Sequence, residues 1–171
     1  MANAKISALP AASTPLAGTE VVPIVQSGST KKVAVSSLMA GPVFRAYQSS
    51  SQSLATASFT KLNLQTETFD TNNNFASSRF TPTVAGYYQF NWGMGLATTT
   101  QSLSALYKNG AISTYGSYST LMTESVGSDI VLLNGSTDYV ELYGFQNSGI
   151  SQNVSANSFQ TFLSGALIRS A

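Results

Sequence analysis

The chain has no cysteine and no histidine. The first absence excludes disulfides and thiol chemistry. The second removes the commonest general base, and the two together remove the usual zinc and copper ligands. Charge is nearly as scarce. Asp, Glu, Lys and Arg make up 9% of 171 residues, against about 25% in ordinary soluble domains. Such a surface suits a molecule that covers much of itself with copies of itself or with a larger assembly. The charges nearly cancel, at +1 net, so nothing points to nucleic acid or an anionic membrane as partner. No stretch approaches the roughly 18 consecutive apolar residues of a membrane-crossing helix. The first residues carry one lysine and no apolar core of signal-peptide length. The expectation is a protein made in a cytosol and not exported by the usual route.

The ingredients for catalysis are thin. The acids are Glu20, Glu67, Asp70, Glu124, Asp129, Asp138 and Glu141, and they form no close pair with an evident partner base. Serine and threonine are plentiful, but a hydroxyl nucleophile needs an activating base. A Ser–Lys dyad through Lys61 or Lys108 has nothing in the sequence to mark it. We expect no enzyme and no cofactor.

What is present is alternation. In residues 80–92, reading FTPTVAGYYQFNW, Pro82 and Gly86 punctuate the start of a strand. Tyr88, Phe90 and Trp92 then fall on one face, and Tyr87, Gln89 and Asn91 on the other. Val43-Phe44-Arg45-Ala46-Tyr47 and residues 59–64 and 139–145 alternate too, and Asn109-Gly110 is a strong hairpin signal. Residues 70–78, 96–102 and 146–158 read as Asn-, Ser- or Thr-rich loops. Residues 114–120 read as a loop or a distorted strand. Roughly eight to ten short strands at 8–12-residue spacing, with no helical period, predict an all-β sandwich.

Several pieces in chain order carry a resemblance. They are Phe80-Thr81-Pro82 with Gly86, Tyr88 and Phe90; Phe69-Asp70 and Asn74-Phe75 ahead of it; Leu106-Tyr107-Lys108-Asn109-Gly110; Leu133-Asn134-Gly135 with Asp138-Tyr139-Val140; and Thr161-Phe162-Leu163-Ser164-Gly165. In the second-last piece Ser136 and Thr137 separate the glycine from the aspartate, and in the last Leu163 stands between phenylalanine and serine. From Val43 to Arg169 the chain resembles the globular head of complement's first component, q subunit, within the tumour-necrosis-factor-like jelly rolls. The resemblance implies a jelly-roll β-sandwich over residues 43–171, packed as a homotrimer. The residues agree with self-association, because two strands are apolar on both faces, whereas a sandwich strand needs only one. Tyr139, Tyr143 and Phe145 oppose Val140 and Leu142, and Phe162 opposes Leu163. The expected trimer contact is Tyr139, Tyr143, Phe145, Phe162 and Leu163. The alternative is that these aromatics lie at sheet ends under loops.

Residues 1–42 differ from the rest. They hold Pro10, Pro15, Pro23 and Pro42 and no aromatic residue. Residues 21–26 and 31–35 flank a glycine-containing turn and predict a short β-hairpin, with Pro23 confining its strand to an edge. Residues 36–39 have room for one helical turn. Such a segment cannot bury a core alone. Lys5-Ile6-Ser7-Ala8-Leu9-Pro10-Ala11-Ala12, then Gly18-Thr19-Glu20 with Pro23-Ile24-Val25-Gln26, then Thr30-Lys31-Lys32-Val33, resembles the N-terminal leader of tailed-bacteriophage fibre and virion-appendage proteins. That resemblance implies an extended arm that meets the virion through Ile6, Leu9, Leu16, Val22, Ile24, Val33 and Val35. Its implied partners are phage capsid or tail proteins, and its implied place is the virion. Lys31-Lys32 could face an acidic particle surface or be a solvated turn edge.

Two further features call for weighing. Tyr115 and Tyr118 flank Gly116 and could contact a host surface glycan or receptor, since tyrosines give rigid contact area; a core role for one of them is the alternative. Asp70, Asn72, Asn73 and Asn74 could offer oxygens to calcium, but the loop lacks the glycine and final acid of a helix-loop-helix site. An Asn-rich turn bonding to its own backbone explains it better. The sequence thus points to a virion structural protein, a short fibre or capsid decoration, or else to a tail-associated adhesin.

Overall fold

The computed structural model describes residues 12–38 and 40–171. Ile6 and Leu9 of the expected docking arm lie outside the described residues. The chain divides into two compact units, Met1–Ala40 and Gly41–Ala171.

The first unit is built on a hairpin of β1 (Val21–Gln26) and β2 (Ser29–Ala34). Its turn, Ser27-Gly28, has φ of 54° and 73°, the mirror-image two-residue turn that matches strand twist. Glycine serves there because φ is positive. Pairs in such a ladder alternate between hydrogen-bonded and non-hydrogen-bonded, starting from the pair at the turn. Gln26 faces Ser29, so Pro23, opposite Lys32, falls at a non-hydrogen-bonded pair, where its missing N–H costs no ladder bond. Val22 faces Val33, and Ile24 shares their face; all three are half-buried. A single turn, α1 (Val35–Leu38), follows. Val35 N–H donates to Glu20 O (2.8 Å) and Ser36 N–H to Gly18 O (3.0 Å). The Glu20 carboxylate accepts from Ala17 and Gly18 N–H at 2.9 and 2.8 Å, and these backbone bonds, Ala17's first, hold its pKa below the ordinary value.

The second unit is all strand. Its elements are β3 (Val43–Tyr47), β4 (Gln52–Leu54), β5 (Thr60–Lys61), β6 (Thr66–Asp70), β7 (Phe75–Ala76), β8 (Arg79–Phe80), β9 (Gly86–Lys108), β10 (Ala111–Leu133), β11 (Val140–Gln146), β12 (Gln152–Val154) and β13 (Phe162–Ser170). The two long strands, β9 and β10, form one hairpin through Asn109-Gly110, at φ 53° and 81°. The hairpin serves both layers. The start of β9 pairs with β13, which leads to β3 and β6, and this is the first sheet. The end of β9 pairs with β11, which leads to β5 and β8, and this is the second. The outer edge of β10 has no strand partner among the described residues. The architecture is the expected jelly-roll sandwich.

The core follows from the alternation. Tyr88, Phe90 and Trp92 are buried, together with Phe44, Phe80, Leu106, Leu142 and Leu163. Phe44 stacks on Phe80 with centroids 4.2 Å apart. Trp92 needs a partner for its buried N–H, and Ser104 Oγ accepts it at 3.0 Å, itself 2.8 Å from Ser125 Oγ. The indole fills the space over Gly127, where a Cβ would come within 2.1 Å of the ring.

One local expectation is corrected. Residues 96–102 are strand, not loop. Threonine and serine suit a strand when a partner takes their backbone groups; here Leu96 pairs with Val154, Thr100 with Met122 and Ser102 with Ser119. For residues 114–120 the structure takes the distorted-strand reading. Register shifts interrupt β10 between Ile112 and Glu124, where the hairpin passes from one sheet to the other.

Candidate interaction surfaces

Each sheet turns one face to the core and one outward. On the outer face of the second sheet, cross-strand register aligns Ile112, Tyr107 and Glu141 in one row. Tyr115, Ala105 and Tyr143 make the next, and Tyr118, Leu103 and Phe145 the third. The rings gather. Tyr107 and Tyr143 stack with centroids 3.8 Å apart. Phe59 lies 5.1 Å from Phe145 and 6.1 Å from both Tyr107 and Tyr115. Tyr118 accepts a hydrogen bond from Gln101. Burial pushes the phenols of Tyr107 and Tyr143 up.

Glu141 lies at one end of this cluster, 2% exposed. A buried carboxylate survives only if paired. Lys61 Nζ reaches Oε1 at 2.6 Å and Arg79 Nε reaches the same oxygen at 2.8 Å. The Tyr143 hydroxyl donates to Oε2 at 3.4 Å. Burial pushes the Glu141 carboxyl up, but the hydrogen bonds and charges of Lys61 and Arg79 outweigh it, and the net shift is downward. The carboxylate in turn holds Arg79's guanidinium above its ordinary value. That guanidinium also lies over the Tyr139 ring, 3.8 Å from its centroid.

The outer face of the first sheet is built differently. Phe162 sits under Arg45, 4.9 Å from guanidinium carbon to ring centroid. The middle is polar: Gln89 Nε2 donates to Ser128 Oγ at 2.7 Å, and Ser128 Oγ to Asn91 Oδ1 at 3.0 Å. At the far end Tyr87, Ile130 and Ile168, all exposed, line an open recess of about 560 Å³ with Arg169, Ser170 and Ala171. Leu132, opposite Tyr87 in the ladder, is exposed beside it.

This geometry regroups the residues singled out in the sequence. Tyr139, Tyr143 and Phe145, expected in a trimer contact, share the outer face of the second sheet with Tyr115 and Tyr118, expected at a receptor. Phe162 stands on the opposite side of the sandwich. Leu163 is corrected: it is fully buried in the core, paired with Ala46 and Trp92, and cannot reach a partner subunit. In the first unit Leu16 is exposed, and Val22, Ile24, Val33 and Val35 are half-buried. The Asp70 carboxylate is used by its own turn, accepting from Asn72 N–H at 3.3 Å and Phe75 N–H at 2.7 Å. Among the described residues no cluster of acids could hold a metal. Lys61 and Lys108 bond to Glu141 and Asp138, and neither amine's described partners include a serine hydroxyl. The Lys61–Glu141–Arg79 group was missed, because its members are far apart in the chain.

No family profile matches the chain, and no curated protein matches it in sequence. Solved structures do match in shape. The globular domain of zebrafish complement 1qA protein superposes with a TM-score of 0.60 at 15% identity, over 77% of this chain and 100% of that one. Murine APRIL gives 0.61 at 11% identity, over 75% and 100%. The fold is a complement- and tumour-necrosis-factor-like jelly roll. Eiger TNF from S. frugiperda gives 0.54 at 10% identity, over 77% of this chain and 93% of that one. At these identities the likeness concerns the jelly roll alone.

Proposed function

We propose that the chain is a bacteriophage virion structural protein, a short homotrimeric fibre or capsid decoration held to the particle by its N-terminal arm. The observation that carries self-association is the apolar end of the first sheet's outer face, where Tyr87, Ile130, Leu132 and Ile168 are exposed together. A closed three-fold ring joins two different patches of each subunit. The outward directions of the two patches must lie about a sixth of a turn apart. Patches on opposite sides of a slab, such as Phe162 and Tyr143, would instead stack copies in a line. The outer face of the first sheet, where Val126 is also exposed, and the side of β10 away from β9, which carries no further strand among the described residues, are the two different patches this reading uses. An obligate contact of this kind buries on the order of 2,000–5,000 Å². The arm reading is supported by the leader-like sequence and by a two-stranded hairpin whose outer edges have no strand partner among the described residues, a form suited to strand addition on another protein.

Native mass spectrometry of the full chain tests the first part: three chains are expected, and a monomer at micromolar concentration overturns it. Quantitative mass spectrometry of purified particles, with the major capsid protein as ruler, tests the second. Tens to hundreds of copies place the protein on the head. Absence from the particle removes the virion reading.

A second reading, a tail-associated adhesin, is favoured by Tyr115 and Tyr118, 54% and 57% exposed. It requires a few copies per particle and loss of adsorption in Tyr115→Ala and Tyr118→Ala.

A further inference from the structure

Beside the aromatic face of the second sheet lies a polar cleft of about 500 Å³, in the ordinary size range of small-ligand sites. Its wall includes Lys61, Arg79, Asn73, Asn74, Thr81 and Thr83. We propose that this cleft binds a carboxylated sugar, such as a uronic or nonulosonic acid residue of a surface polysaccharide.

Charge is the first argument. Lys61 and Arg79 bring two positive charges, and Glu141 returns one negative, so the group keeps one positive charge. The lowered carboxyl of Glu141 keeps that sum constant at neutral pH. Glu141 is 3% exposed at its side chain, whereas Lys61 and Arg79 are 30% and 43% exposed. The negative charge is therefore withdrawn from solvent and the positive ones are presented to it.

Unspent hydrogen bonds are the second. Arg79 gives only its Nε to Glu141, and its two terminal nitrogens carry no described hydrogen bond. They form the fork that recognises a carboxylate with two parallel bonds. Glu141 and Tyr139 hold the guanidinium in place before a ligand arrives, which reduces the entropy lost on binding.

The third argument separates a sugar acid from a plain anion. The Thr81 and Thr83 hydroxyls and the Asn73 side-chain amide lie on the cleft wall, and each group both donates and accepts. A simple anion such as acetate leaves these groups to water, whereas the hydroxyls of a sugar pair with them. A cationic fork beside two hydroxyls and an amide is complementary to a carboxylate carried on a polyol. The site lies within one jelly roll and does not depend on the trimer or on the virion reading.

The test is titration of the full-length protein with oligogalacturonate, with the neutral oligogalactose of equal length and with acetate as controls, by calorimetry and by NMR of the Asn side-chain amides. The expected result is saturable binding of the acidic oligosaccharide, a shift of the Asn73 amide resonance, and at least tenfold weaker binding of both controls. Thr83→Glu and Asn73→Asp place a negative charge at exposed positions on the rim. Each should weaken binding about tenfold through like-charge repulsion while leaving the melting temperature unchanged. Equal binding of the neutral sugar, equal binding of acetate, no binding of the acid, or unaltered affinity in both rim variants overturns the proposal.

Discussion

The two outer faces of the sandwich carry similar residue types and use them in opposite ways. On the second sheet the rings of Tyr107, Tyr143, Phe59 and Phe145 cover one another, and the one acid among them is paired twice. That face is largely satisfied within one chain. On the first sheet the apolar side chains of Tyr87, Ile130 and Ile168 surround an open recess. Exposed apolar area thus means different things on the two sides. Where rings stack on their own neighbours it stabilises the fold. Where they stand around a gap it favours a second chain. Composition alone does not distinguish these cases.

The sharpest way to break this comparison is Glu141→Ala. It leaves Lys61 and Arg79 facing each other without their anion. We expect a loss of about 2 kcal/mol in urea unfolding, below the full penalty for a buried pair because both cations are partly exposed. The same contribution has a pH signature. A carboxyl with a lowered folded pKa contributes stability that is present above its ordinary value and is lost as pH falls. Stability should therefore drop as pH falls below about 4.5 in the native protein and stay flatter in Glu141→Ala.

Tyr88 is the control, since it lies in the core between the two faces. Burial pushes its phenol up to about 12, and its neutral hydroxyl donates to Val84 O at 2.7 Å. Its contribution is complete below pH 10 and fades as pH rises towards 12. Alkaline melting should cost on the order of 2 kcal/mol, and Tyr88→Phe should flatten that fall.

Tyr143→Ala removes the stack on Tyr107 and should cost about 1 kcal/mol beyond its buried area, measured by a double-mutant cycle with Tyr107→Ala. The smallest effect on unfolding is expected at Ile168→Lys. The residue is 55% exposed, so a dissociated chain should change by less than about 0.5 kcal/mol. Its mass in solution should nonetheless fall from three chains to one. A substantial loss of stability with an unchanged mass would reverse the roles given to the two faces.

The sequence was legible where one face of a strand had to be buried. Residues 86–92 alternate between aromatic and polar, so their inward side is unambiguous, and the Asn109-Gly110 pair marks its own turn; the turn after Gln26 is tighter than expected, since Ser29 and Thr30 already belong to β2. It was illegible where both faces are apolar. Phe162 and Leu163 have opposite parity, but only the packing of Leu163 among Ala46, Trp92 and their neighbours decides which points inward. It was also illegible where partners are remote. Glu141 is the lone acid in an otherwise uncharged strand, and that oddity was the available signal for a buried ion group. Its cations come from β5 and β8, which no local pattern links to β11. Residues 96–102 were misread because Ser- and Thr-rich composition describes a loop and a shared strand equally well.

The hairpin of β9 and β10 has a consequence for how the chain reaches its native state. All-β folds are slowed by the search for partners distant in sequence. Here the longest ladder closes from one two-residue turn and needs no such search. Because it runs through both sheets, it supplies each with its first template strand. β11 and β13 can then add to opposite halves of a scaffold that already exists, and β3 comes last from the far end of the chain. Pulse-labelled hydrogen exchange should find the amides of β9 and β10 protected before those of β3. In kinetic terms, the strand pair that divides the molecule into two faces is also the step that brings them together.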